Sequence, residues 1–94
     1  MIAFPNPITN SQEVCIKTSR VESQKSVVEL FNNLGQRLST TELMINPGDA
    51  FLVNLSKYPS GCYHIRVTGD VYTDSIKIIY ISGDGNSSAP VNCN

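Results

Sequence analysis

The sequence predicts an all-β fold, a single-domain antiparallel β-sandwich of about seven strands that is immunoglobulin-like in architecture. Three observations lead there. Val, Ile, Thr, Tyr and Phe gather in short runs, and their branched or aromatic side chains pack well on a pleated surface. Clusters of Asn, Gly, Pro, Ser and Asp interrupt those runs about every ten residues. Several runs alternate apolar with polar residues, which turns one face of a strand to a core and the other to water. At 94 residues the chain can bury one hydrophobic core, with nothing left for a second domain.

Ile2 to Phe4 opens as a short strand and runs into Pro5-Asn6-Pro7, whose prolines lack N–H donors, so pairing should stop there. Asn6 is expected to bond its own backbone at this bend. Thr9 to Gln12 reads as a loop. Glu13 to Thr18 alternates, with Val14 and Ile16 on one face and Cys15 and Lys17 on the other. A polar connection, Ser19 to Lys25, follows.

Ser26 to Asn33 and Gln36 to Met44 read as a hairpin turning at Asn33-Leu34-Gly35, where glycine can take the positive φ of a tight turn. Helix is the rival over Val27 to Leu38, because Val27, Leu30, Phe31 and Leu34 have helical spacing. The Val-Val pair, paired Asn residues and Gly35 lower its helix propensity, so strand is preferred.

Past the turn at Asn46-Pro47-Gly48-Asp49, Phe51 to Leu55 alternates and aims Phe51, Val53 and Leu55 inward. Tyr58-Pro59-Ser60-Gly61 makes a corner. Gly61 to Thr68 is the clearest strand, with Tyr63, Ile65 and Val67 on one face and Cys62, His64, Arg66 and Thr68 on the other. Gly69-Asp70 then turns the chain into a last strand, Tyr72 to Ile81, in which Ile76, Ile78 and Tyr80 alternate with Lys77 and Ile79. Residues 82–94 hold little that could be buried and read as a flexible tail or linker, so the domain is placed at 1–81. The expected core is Val14, Ile16, Val28, Leu30, Leu38, Phe51, Val53, Leu55, Tyr63, Ile65, Val67, Ile76 and Ile78, shared by two sheets packed face to face.

Composition narrows the function. Seven Lys or Arg are scattered among eight Asp or Glu, which makes nucleic acid and anionic membranes poor partners. No apolar run approaches the roughly 18 residues of a membrane helix. The N-terminal residues lack the pattern of a secretory signal peptide, so any export signal is expected elsewhere. Three widely spaced cysteines, Cys15, Cys62 and Cys93, allow at most one internal bridge and no Cys-x-x-Cys site.

Three segments, taken in order, point to a family. They are Phe4-Pro5-Asn6-Pro7, the run Val28 to Leu38 with its Leu34-Gly35-Gln36-Arg37 turn, and Leu55 to Val67 with Gly61-Cys62-Tyr63-His64-Ile65-Arg66-Val67. Together they resemble the type A C-terminal sorting domain of type IX secretion (the Por secretion system), with Lys77 filling the place of the lysine on the family's final strand. The resemblance runs from Phe4 to about Tyr80. It implies a β-sandwich at the C-terminal end of an exported cargo protein, recognised at the outer membrane and removed by a sortase-like peptidase. The family ends soon after its last strand, whereas this chain runs on past Ile81 and, if that tail is native, masks the strand end.

The resemblance singles out Pro5, Asn6, Pro7, Gly35, Arg37, Leu38, Gly61, Tyr63, Arg66, Val67 and Lys77, each open to a structural or a recognition role. Pro5, Asn6 and Pro7 either meet a partner or set the angle of the linker, with the structural role preferred. Gly35 and Gly61 are expected to serve backbone geometry, and Tyr63 to fill the core while its hydroxyl finds a bond at the edge. Arg37 and Arg66 either pair with acidic residues or offer donors to a receptor. Lys77 guards an edge against unwanted strand pairing and lies near the recognised end.

Chemistry has little to work with. His64, the only histidine, shares a face with Cys62, but two residues make neither a catalytic constellation nor a metal site. Asp84 stands in a fragment of a calcium loop without the remaining acidic ligands. The sequons at Asn54 and Asn86 read as coincidence. No enzyme activity, cofactor or small-molecule substrate is expected.

The expected function is a non-catalytic sorting signal that carries an N-terminally fused cargo through the type IX system to the cell surface or medium. The translocon, the shuttle protein and the sortase-like peptidase are the expected partners. The alternative is an accessory binding or spacer domain of a larger secreted surface protein.

Overall fold

A computed structural model describes residues 1–9, 11–18, 23–70, 72–81 and 93. Among these residues seven strands run in chain order: β1 Ile2–Phe4, β2 Glu13–Lys17, β3 Gln24–Asn32, β4 Arg37–Ile45, β5 Ala50–Asn54, β6 Gly61–Thr68 and β7 Thr73–Tyr80. They form two antiparallel sheets, a three-stranded one ordered β1-β2-β5 and a four-stranded one ordered β4-β3-β6-β7. This is the all-β architecture that the alternation predicts.

The helical rival over Val27 to Leu38 loses to pairing. β3 is bonded on one side to β4 and on the other to β6, so its backbone groups are satisfied without a helix. Its hairpin with β4 extends beyond the expected ends because Gln24 pairs with Ile45, whose side chain is fully buried. Gly35, at φ +82°, supplies the left-handed residue of the turn.

Alternation fills the core from both sheets. Val14 and Ile16 from β2 meet Val28, Leu30, Tyr63, Ile65, Val67 and Ile78 from the four-stranded sheet, with Leu55 beside them. Leu38, Phe51, Val53 and Ile76, expected in the core, are half-buried at its margin. Ile8, Ile45 and Tyr80 are buried as well, and full burial of an aliphatic side chain such as Ile8 or Ile45 is worth about 1.5–3 kcal/mol.

Ile8 is buried because the N-terminal segment serves both sheets. β1 lies on the three-stranded sheet, and past Pro7 the chain crosses to β7, where Ile8 forms a parallel bridge with Tyr80. The peptide bonds before Pro5 and Pro7 are cis.

Cys15 corrects the reading of β2 as half-buried. It lies outside the core cluster, yet it is fully buried, and it forms a disulfide with Cys93 across a Cα–Cα distance of 5.5 Å. Cys62 remains a free thiol. Cys93 is thus fastened to β2, while residues 82–92, Asp84 and Asn86 included, lie outside the described residues, as does most of the expected connection before Lys25.

Candidate functional site

Pro5-Asn6-Pro7 and Lys77 are far apart in sequence and adjacent in the fold. Asn6 does not bond its own backbone as expected, because β7 offers better partners. Its Nδ2 donates to the Lys77 carbonyl at 3.1 Å, and the Ile79 N–H donates to its Oδ1 at 3.1 Å. The side-chain amide therefore stands in for one residue of a pairing strand. The backbone continues the pairing, with Ile8 N–H donating to Ile79 O and Ile81 N–H to Ile8 O, each at 2.8 Å. The edge of β7 from Lys77 to Ile81 is thus already paired, and the Lys77 side chain remains exposed beside it.

Gly35, Arg37 and Leu38 belong to the β3–β4 turn. Asn32 organises it: its Oδ1 accepts from the N–H groups of Leu34 and Gln36, and its Nδ2 donates to Gln36 Oε1. A register shift at Leu30/Phe31 places Arg37 opposite Phe31 on the outer face, while Leu38 packs against the core.

Gly61, Tyr63, Arg66 and Val67 lie on β6, and alternation sends them to different places. Tyr63 and Val67 are core residues. The Tyr63 hydroxyl donates to the Pro59 carbonyl, and burial pushes its pKa up. Gly61 does not need to be glycine for its backbone: a Cβ there would lie 3.8 Å from the Tyr63 ring, an ordinary contact. The glycine with crowded surroundings is Gly69, where a Cβ would collide with the Tyr72 ring.

Arg37 and Arg66 both pair with Glu29, a residue the sequence reading missed. Arg66 Nε and Nη2 donate to Glu29 Oε1 at 3.1 and 2.9 Å, and Arg37 Nη1 donates to Oε2 at 3.3 Å. The Arg66 guanidinium also stacks 4.8 Å from the Phe31 ring centroid. The hydrogen bond from Arg66 holds the Glu29 carboxyl below its ordinary pKa against the opposing effect of burial, and Arg37 adds to the lowering. A carboxylate on the same outward parity as two arginines was the available signal, but pairing across three strands shows only in the register.

The motif residues therefore divide into three groups. Asn6 meets the Lys77 backbone at the β7 edge, Arg37 and Arg66 meet on Glu29 at the outer face of the four-stranded sheet, and Leu38, Tyr63 and Val67 support the interior. His64 and Cys62 lie on the outer face, and no group of three or more potential metal ligands occurs among the described residues. Among the described residues, no helix is long and apolar enough to cross a membrane.

No curated protein matches the chain. The family model described as the secretion system C-terminal sorting domain matches residues 2–82, a span that takes in all seven strands and every motif residue placed above. The chain therefore belongs to the secretion system C-terminal sorting domain family.

Proposed function

We propose that the chain is a folded, non-catalytic address label that directs an N-terminally fused cargo protein through the type IX system, by way of the periplasm and across the outer membrane, to the cell surface or medium. The observation that carries this reading is the family match over residues 2–82. The Cys15–Cys93 disulfide agrees with it, because such bonds persist in oxidising compartments such as the periplasm. In this reading residues 1–81 are the sorting unit and residues 82–94 a tail that follows it. The partners are the outer-membrane translocon, a shuttle protein and a sortase-like peptidase. If docking proceeds by strand addition, the open edge of the four-stranded sheet is β4, since Asn6 and Ile8 already pair along β7.

The test is export. Residues Ile2 to Ile81, and separately the full chain, are fused to a periplasm-directed fluorescent protein in a type IX-competent host, and the cell surface and medium are assayed. Fluorescence outside the cell that disappears when the secretion system is disabled is the expected result. Folded reporter retained in the periplasm by both fusions would refute the sorting role and leave the accessory binding domain.

A further inference from the structure

The outward side chains of the four-stranded sheet concentrate positive charge in a chain whose net charge is −1. Register sets Arg37 opposite Phe31, Phe31 opposite His64 and His64 opposite Lys77, so these four residues form one row across all four strands. At about 4.8 Å between strands the row spans roughly 14 Å. In the next row, Glu29 lies opposite Arg66. The charged strand residues facing outward are Lys25, Arg37, Arg66 and Lys77 against Glu29 and Glu42, which leaves an excess of two positive charges.

The two guanidiniums are already oriented. Glu29 is nearly buried and anchors both, yet the Arg37 and Arg66 side chains remain 59% and 45% exposed. Among the described residues, Arg66 Nη1 and the Nε and Nη2 of Arg37 have no hydrogen-bond acceptor. Fixed guanidinium edges with unused donors suit planar carboxylates, and a partner binding them loses less side-chain entropy.

We propose that this face docks an acidic polypeptide segment lying across the strands, its carboxylates on Arg37, Arg66 and Lys77. An extended segment rises about 3.4 Å per residue, so acidic side chains at positions i and i+4 are about 14 Å apart, the span of the row. Of the four Lys or Arg on this face, three are in ion pairs with Glu29 or Glu42, so its net positive charge is below that of the unneutralised clusters of roughly 4–8 Lys or Arg that hold an anionic lipid surface. That charge also falls short of the roughly 6–10 phosphate contacts of a protein bound to duplex DNA. The docking surface stands whether or not the chain is exported.

The experiment titrates the isotope-labelled full chain, followed by amide NMR, with a synthetic peptide alternating Glu and Ser. Its Gln-for-Glu counterpart and phosphatidylglycerol vesicles form the other arms. Expected are shifts centred on Phe31, Arg37, His64, Arg66 and Lys77 that fade as salt rises. Lys77 forms no ion pair among the described residues, so Lys77→Glu leaves Glu29 paired and should weaken binding about fivefold or more. Equal shifts with the neutral peptide, shifts centred on the three-stranded sheet, or unchanged affinity in a folded Lys77→Glu variant would overturn the proposal. Tighter binding to the vesicles than to the acidic peptide would overturn it in favour of a lipid surface.

Discussion

Replacing Cys93 with Ser opens a covalent ring whose ends are 78 residues apart in sequence. In the chain-entropy picture, a loop of that size restricts the unfolded chain by about 4.5 kcal/mol at 25 °C. Residual structure in the unfolded ensemble reduces this, so the expected loss is about 2–4 kcal/mol. In a domain of this size each kcal/mol moves the midpoint by about 4–8 °C. Cys93→Ser should therefore lower Tm by roughly 8–32 °C in circular-dichroism melts. Wild type in reducing agent should melt with the variant, whereas Cys62→Ser, which removes the free thiol, should stay near oxidised wild type. Thiol labelling of folded, oxidised protein should reach Cys62 alone. Coincident melts of Cys93→Ser, reduced wild type and oxidised wild type would refute the argument that this bond clamps the fold.

Two further outcomes follow from the same geometry. Gly35→Ala puts a Cβ on a residue at φ +82° and should cost about 1–2 kcal/mol in urea unfolding, whereas Gly61→Ala should stay within about 0.5 kcal/mol of wild type; a larger loss at Gly61 would restore the backbone role first expected of it. Glu29 has its folded-state pKa depressed, so its contribution to stability is present above the ordinary glutamate value and is lost as pH falls through the depressed one. Its carboxyl resonance should titrate below the ordinary value, and Arg37→Gln, which removes the weaker of the two arginine interactions, should move it only part of the way back; titration at the ordinary value in wild type would contradict the shared ion pair.

Export, acidic-segment docking and the disulfide clamp are separable. Loss of the clamp leaves Lys77, Arg37 and Arg66 on their strands, and charge reversal at Lys77 leaves the Asn6 pairing intact, because Asn6 bonds the Lys77 carbonyl rather than its side chain.

What the sequence determined by itself is local. Alternation in Glu13–Lys17, Gly61–Thr68 and Thr73–Tyr80 defines strands because side chains on a pleated backbone repeat every two residues. Gly35 marks a turn because few other residues take positive φ without cost. The ordered motifs, Pro5 to Lys77, identify the family because they lie in fixed succession along one chain. What only the tertiary structure decided is which distant residues meet. Asn6 pairs with β7, Arg37 and Arg66 share Glu29, Cys15 takes Cys93 rather than Cys62, and Ile8 is buried despite its place beside the prolines. Each depends on strand order and register, which arise when two sheets close over a common core, and a local pattern carries no information about which strand becomes its neighbour.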